Sequence, residues 1–250
     1  ADHTIQDVEA FHFAINVAAK QSQTGALVTF GVVPSSANIS YGYIKLSKDN
    51  IDGAYRAEEF VEKPDLQTAQ LYLEHGDFLW NSGIFMFQAN KFIEELNVHA
   101  PKITKSVNKS VNKASQDLDF IRLEKHSFES SPSDSIDYAL LEKSNNVVVV
   151  PLDAGWNDVG SWSALYDIGV KDVNGNVIQG DVLTEETSNS YINANHHMVV
   201  AIGLNNLVIV DTPNATLIST KEKDQDVKKV LKRLKSQNRE EHLFHRKVYR

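Results

Sequence analysis

The sequence predicts an α/β fold with a mixed, mostly parallel sheet, followed by a small β-helix-like region and a final helix. Three observations carry that expectation. Apolar strand-like runs alternate with helical patterns through the first two thirds of the chain, the arrangement of a sheet covered by helices. Val147 to Val150 is a continuous apolar run, the mark of a strand buried on both faces. Beyond Asp172, short β-type runs recur with Asn and Gly between them and no helix intervening.

In order, Asp7 to Lys20 has apolar residues at Val8, Phe11, Ile15, Ala18 and Ala19, a helical spacing, with Gly25 marking the turn after it. Leu27 to Val33 reads as a buried strand ended by Pro34, and Tyr41 to Leu46 as an alternating one. Tyr55 to Val61 is a strand that stops at Pro64, which cannot donate a ladder bond, so Glu62 and Lys63 sit at its tip. Asp65 to Glu74 is a helix closed by His75-Gly76, and Trp80 to Phe87 is a strand opened by polar residues, with Asn81 at its mouth. Asn90 starts a short helix with Phe92, Ile93 and Leu96 on one side. Pro101 to Lys125 reads as helical but weakly patterned, and Ser135 to Lys143 as a helix leading into the valine strand.

After that strand Gly155 breaks the run, and Asp158 precedes a helix from Ser161 to Ile168. Asn174-Gly175-Asn176 is a turn, and the β runs are Val177-Ile178, Val182-Leu183, Tyr191-Ile192, Met198 to Ile202, Leu207 to Val210 and Thr216 to Ile218. Asp224 to Lys235 is amphipathic, with Val227, Val230, Leu231 and Leu234 as its stripe, and residues 240–250 read as a linker. The expected domains are residues 1–171 and 172–250.

Bulk properties narrow the function. At 250 residues, 42% hydrophobic and 23% charged, the chain has ample material for a core. A net charge of −8 argues against a nucleic-acid surface, yet a phosphorylated small molecule needs only a few local cations. The absence of cysteine excludes disulfides, thiol nucleophiles and cysteine-ligated zinc, and fits a reducing cytoplasm. No apolar run reaches the ~20 residues of a membrane helix, so no membrane partner is expected. No glycines stand one residue apart and no Walker sequence occurs, so a loop cradling a triphosphate is not in these residues.

Several polar groups fall at strand ends: Asp2, Glu62-Lys63, Asn81 and Asp158. Taken alone, each has an ordinary reading. Asp158 or Ser161 could cap the following helix, Glu62-Lys63 could be a solvated strand end, and Asn81 a turn residue. Together, separated carboxylates and a lysine suit phosphate chemistry, because hard oxygens hold Mg²⁺ and lysine acts as a point charge on phosphate. His196-His197 reads as a solvent-facing turn. His242 and His245 have helical metal spacing but no evident third ligand.

The ordered segments ADHTIQD at 1–7, YGYI at 41–44, FVEKPD at 60–65, WNSGIFMF at 80–87 and GWNDVGSW at 155–162 resemble the mannose-1-phosphate guanylyltransferase family. The likeness is to the bacterial type that often carries a mannose-6-phosphate isomerase domain, and it spans essentially the whole chain. It implies a Rossmann-like nucleotidyltransferase domain, N-terminally incomplete, that makes GDP-mannose and pyrophosphate from GTP and mannose 1-phosphate with Mg²⁺ in the cytoplasm. By motif position, Asp2 and Asp158 would hold the metal, Lys63 would neutralise the sugar phosphate, and Glu62 would accept from sugar hydroxyls. Tyr41 and Gly42 would line the sugar site, the glycine allowing close approach, and Asn81 would orient the hexose. The resemblance admits a homodimer and a C-terminal isomerase domain in a parent protein. Because the family's glycine-rich loop lies upstream of Ala1, this polypeptide alone is expected to be weakly active or inactive. The alternative reading is a non-catalytic regulatory or scaffolding relative.

Overall fold

The computed structural model describes residues 3–239. The tail expected to be a linker, with His242 and His245, lies outside them, and so does Asp2. The chain divides into two compact units, Ile5–Trp156 and a second whose described residues are 3–4 and 157–239.

In the unit Ile5–Trp156, helix α1 (Val8–Gln23) starts at Asp7, whose carboxylate accepts from the Ala10 N–H. Strands β1 (Leu27–Val32), β2 (Tyr43–Ile51), β3 (Ala54–Val61), β4 (Phe78–Met86) and β7 (Val147–Pro151) form one closed sheet in the order β1-β4-β2-β3-β7. Helix α2 (Leu66–His75) lies between β3 and β4, and α3 (Ala89–His99) and α4 (Pro101–Asn112) follow β4.

The sheet is mixed, but its parallel share is small. Only β1 and β7 run parallel, whereas β1–β4, β2–β4, β2–β3 and β3–β7 are antiparallel. One physical cause is the Asp52-Gly53 turn: both residues have positive φ, so β2 and β3 close as a hairpin with no room for a crossover.

Burial alternates along the paired strands. Val28, Phe30, Val148 and Val150 pack against Ala14, Val17 and Ala18 of α1. Leu27, Val147 and Val149 face the other way, onto Ile44, Phe60, Leu79, Leu140 and Leu141. Burying each large aliphatic side chain contributes about 1.5–3 kcal/mol, and both faces of β1 and β7 receive it.

Two expectations fail between β4 and β7. The stretch expected to be helical to Lys125 is helical only through Asn112. It then forms a hairpin of β5 (Ser115–Asp117) and β6 (Phe120–Arg122), followed by α5 (Lys125–Glu129). Every residue of β5 and β6 is exposed, so no burial pattern marks them in the sequence. The segment expected as an ordinary helix before the valine strand is a single π-helical turn, Asp137–Leu141.

In the other unit, α6 (Trp162–Ile168) precedes β8 (Val177–Glu185), β9 (Tyr191–Ile202), β10 (Leu207–Asp211) and β11 (Thr216–Thr220). The sheet order is β11-β10-β9-β8, with β8–β9 and β9–β10 parallel and β10–β11 antiparallel. Parallel neighbours joined without helices give the β-helix-like character. The short runs seen in the sequence merge into longer strands. Gly180, at φ +86, carries β8 across the shift in register, and a Cβ there would strike the Ala194 carbonyl. His196 and His197 lie inside β9, not in a turn, and the His197 N–H donates to Asp211 at 2.8 Å. A 3₁₀ turn (Lys221–Asp226) leads into α7 (Val227–Ser236). Among the described residues no helix is long and apolar enough to cross a membrane.

Candidate active site

Pro64 ends β3 and leaves Glu62 and Lys63 beyond its last ladder bond. Lys63 adopts φ +50, an uncommon left-handed backbone for a residue with a side chain. The two side chains part: that of Glu62 is 8% exposed and that of Lys63 is 57% exposed, yet Nζ and Oε1 remain 2.6 Å apart. The second carboxylate oxygen of Glu62, Oε2, is buried with no hydrogen-bond partner among the described residues. An orphaned buried acceptor is costly, and native proteins keep few of them. Burial pushes the Glu62 carboxyl above its usual range against the pull of Lys63, and the charges of Asp137 and Glu142 push the same way. The bond to Glu62 raises the Lys63 ammonium as well.

Two more residues meet that carboxylate. The Asn81 N–H donates to the Gly42 carbonyl at 2.8 Å, one step along from the Tyr43–Trp80 pair of β2 and β4. Asn81, expected at a strand mouth, therefore lies within β4 and is buried. A Cβ on Gly42 would collide with Oε2 of Glu62 and lie 3.3 Å from the Asn81 Cβ. The glycine is required by space and not by torsion. Tyr41 stands edge-on to Trp80 and Trp156, with ring centroids 5.0 and 5.5 Å away. Tyr41, Gly42, Glu62, Lys63 and Asn81 are thus brought together by the ends and middles of three neighbouring strands.

Sequence reasoning missed three participants. The Asn81 side chain donates through Nδ2 to Asp137 Oδ1 at 2.9 Å and accepts through Oδ1 from Thr29 Oγ1 at 3.0 Å. Glu142 accepts from the Glu62 backbone N–H at 3.1 Å. An acid at the start of an expected helix is ordinary, so the sequence carried no signal that Asp137 points at a site.

Asp158 belongs to the other unit. There Thr4 and Asn157 exchange two backbone hydrogen bonds, 2.9 and 3.1 Å. Asp158 Oδ1 accepts from the Gly160 N–H at 3.1 Å, whereas Ser161, not Asp158, caps α6 by accepting from Ala164. Among the described residues no three His, Cys, Asp or Glu side chains gather as a metal site. Mg²⁺ does not need three, because it usually keeps several waters and takes one or two carboxylates. The hard oxygens of Asp158 fit such an ion.

The profile of the nucleotidyl transferase family matches residues 1–175, and that of a mannose-phosphate isomerase/GMP-like β-helix domain matches residues 180–234. The first of these families generally uses a divalent metal. A mannose-1-phosphate guanylyltransferase of Salmonella montevideo is 47% identical over all of this chain, which covers 54% of that protein. The xanthan biosynthesis protein XanB of Xanthomonas campestris pv. campestris strain B100 is also 47% identical, again over the whole chain and 53% of its own length. The chain spans about half the length of the curated relatives it matches. A crystal structure from Thermus thermophilus, described as a mannose-1-phosphate geranyltransferase, superposes with a TM-score of 0.82 at 30% identity. That match covers 94% of this chain and 68% of the other.

Proposed function

The chain belongs to the nucleotidyl transferase family, and from that premise we propose that it serves a guanylyltransferase making GDP-mannose and pyrophosphate from GTP and mannose 1-phosphate. The observation that carries the reading is the meeting of Gly42, Glu62 and Asn81 around a buried carboxylate oxygen that has no donor among the described residues, beside an exposed lysine. A sugar phosphate is complementary to that arrangement. Its hydroxyls donate where Glu62 lacks a donor, and its dianion suits a cation held at a strand tip.

In the reaction a phosphate oxygen of mannose 1-phosphate attacks the α-phosphorus of GTP in line. The new P–O bond forms as the bond to pyrophosphate breaks, and positioning carries most of the rate. Glu62 accepts from the hexose, Gly42 leaves the space that the carboxylate occupies, and Asn81 orients the ring. Tyr41, braced against two tryptophans, forms a rigid wall. Lys63 neutralises the attacking phosphate. Asp158, and by motif position Asp2, would hold Mg²⁺. A bound Mg²⁺ would offset phosphate charge.

The same reading divides the chain into residues 1–171 for catalysis and 172–250 for the β region, which the profile bounds support. It takes the protein as a cytoplasmic homodimer in polysaccharide-precursor synthesis, with a C-terminal isomerase domain in the parent. No observation favours the non-catalytic alternative.

Calorimetric titration with mannose 1-phosphate tests the site. Saturable binding that Glu62→Ala weakens at least tenfold is expected. No saturable binding by the unsubstituted chain would falsify the reading.

A further inference from the structure

The π-helical turn Asp137–Leu141 sets two acids on two residues of the site. Asp137 accepts from the Asn81 side chain, and Glu142, just past the turn, accepts from the Glu62 backbone N–H. On an α-helix, residues five apart point about 140° away from each other. A π turn closes i→i+5 and returns the fifth residue over the first, here with the Glu142 N–H on the Asp137 carbonyl at 3.0 Å. Ala139, Leu140 and Leu141 are buried and fix the turn in the core.

The hydrogen bonds of Asn81 fix the orientation of its amide. Its Oδ1 accepts from the Gly83 N–H at 3.2 Å and lies 3.0 Å from Thr29 Oγ1, whose single hydrogen is also within reach of the Ile84 carbonyl at 3.2 Å. Its Nδ2 gives one hydrogen to Asp137. With the amide flipped, an oxygen would face the Asp137 carboxylate and an NH₂ would face the Gly83 N–H, both repulsive. One Nδ2 hydrogen is what remains. The side chain can therefore donate to a ligand oxygen through that hydrogen, its oxygen being turned toward Gly83 and Thr29, while Glu62 Oε2 can only accept when ionised.

We propose that Asp137 is a positioning residue for sugar-phosphate recognition, fixing the Asn81 amide as a donor opposite the accepting carboxylate of Glu62. The proposal rests on the sugar-phosphate reading above. It assigns the site a polarity: one donor and one acceptor on the hexose side, set by an acid that does not itself touch the ligand.

The test is a double-mutant cycle read by calorimetry with mannose 1-phosphate, using inorganic phosphate as a second probe. Asp137→Ala is expected to weaken mannose 1-phosphate about tenfold to hundredfold, the range for a hydrogen bond to a charged group. Inorganic phosphate, which has no hexose hydroxyl to meet Asn81 or Glu62, should weaken by less than about twofold. Asp137→Asn, which keeps an acceptor, should recover most of the loss. In an Asn81→Ala background, Asp137→Ala should add nothing further. A merely structural role would move the urea midpoint and leave this pattern absent. If Asp137→Ala does not fold, Asp137→Ser, which is shorter but polar, carries the same contrast. Unchanged mannose 1-phosphate affinity, equal losses for both probes, or an undiminished loss without Asn81 overturns the inference alone. Absence of binding by the unsubstituted chain overturns the sugar-phosphate reading and the inference with it.

Discussion

Replacing Gly42 with alanine separates function from stability at this site. Gly42 does not need positive φ, so alanine fits torsionally at the entry to β2. Its Cβ must nevertheless displace something, because Oε2 of Glu62 occupies that space. The backbone is the stiffer party: the Asn81 N–H to Gly42 carbonyl bond and the Tyr43–Trp80 pairing hold β2 to β4. The carboxylate sits at the end of a rotatable side chain, and its tie to Lys63 is a pair with one partner 57% exposed. Breaking such a pair costs about 0–1 kcal/mol, and moving a half-satisfied carboxylate toward water returns part of that. The Asn81 Cβ, 3.3 Å away, needs to give only a few tenths of an ångström. Gly42→Ala should therefore change the unfolding free energy by less than about 1 kcal/mol. It should remove one charged hydrogen bond to the hexose, about 1.5–3 kcal/mol, or roughly 10- to 150-fold in mannose 1-phosphate affinity. Calorimetry gives the affinity and urea unfolding gives the stability. In a Glu62→Ala background the alanine has room and should add little. Normal binding by a folded Gly42→Ala protein, or an equal penalty with Glu62 absent, would refute the reasoning.

Three further outcomes follow from other parts of the molecule. Glu124 accepts from the Ser127 hydroxyl and N–H and from the His126 N–H, which hold its carboxyl at about 2 instead of 4.5. A depressed folded value gives stability that is complete above about 4.5 and lost as pH falls through 2, so urea midpoints over that interval should fall less for Glu124→Gln than for the unsubstituted chain. Asp224, 3% exposed, accepts from the Ser163 N–H in the first turn of α6 at 2.7 Å; Asp224→Ala should cost about 1–3 kcal/mol in urea unfolding, with the loss confined to the unit containing α6. Asp158→Asn should weaken Mn²⁺ binding at least tenfold, read by water-proton relaxation, while its circular dichroism stays that of the unsubstituted chain.

What the sequence disclosed, and what it withheld, divides along physical lines. The strands at Leu27 and Val147 were legible because burial on both faces leaves an unbroken apolar run. Their partners' directions were not, because direction is a property of connections. The two-residue turn at Asp52-Gly53 fixes one antiparallel pair, but nothing local says that β4 runs antiparallel to both β1 and β2. The hairpin at Leu118 was invisible for the opposite reason: its residues meet solvent, so no periodic burial constrains them. Within the site, Glu62, Lys63 and Asn81 were legible because each stands in a contiguous motif. Asp137 and Glu142 were not, because their shared task depends on an i→i+5 turn that looks helical residue by residue. On an α-helical wheel these two acids fall on different sides, and a reader would assign at most one of them to the strands beneath. The backbone of this turn, and not its composition, is what sets Asp137 on Asn81 of β4 and Glu142 on the Glu62 N–H just past β3.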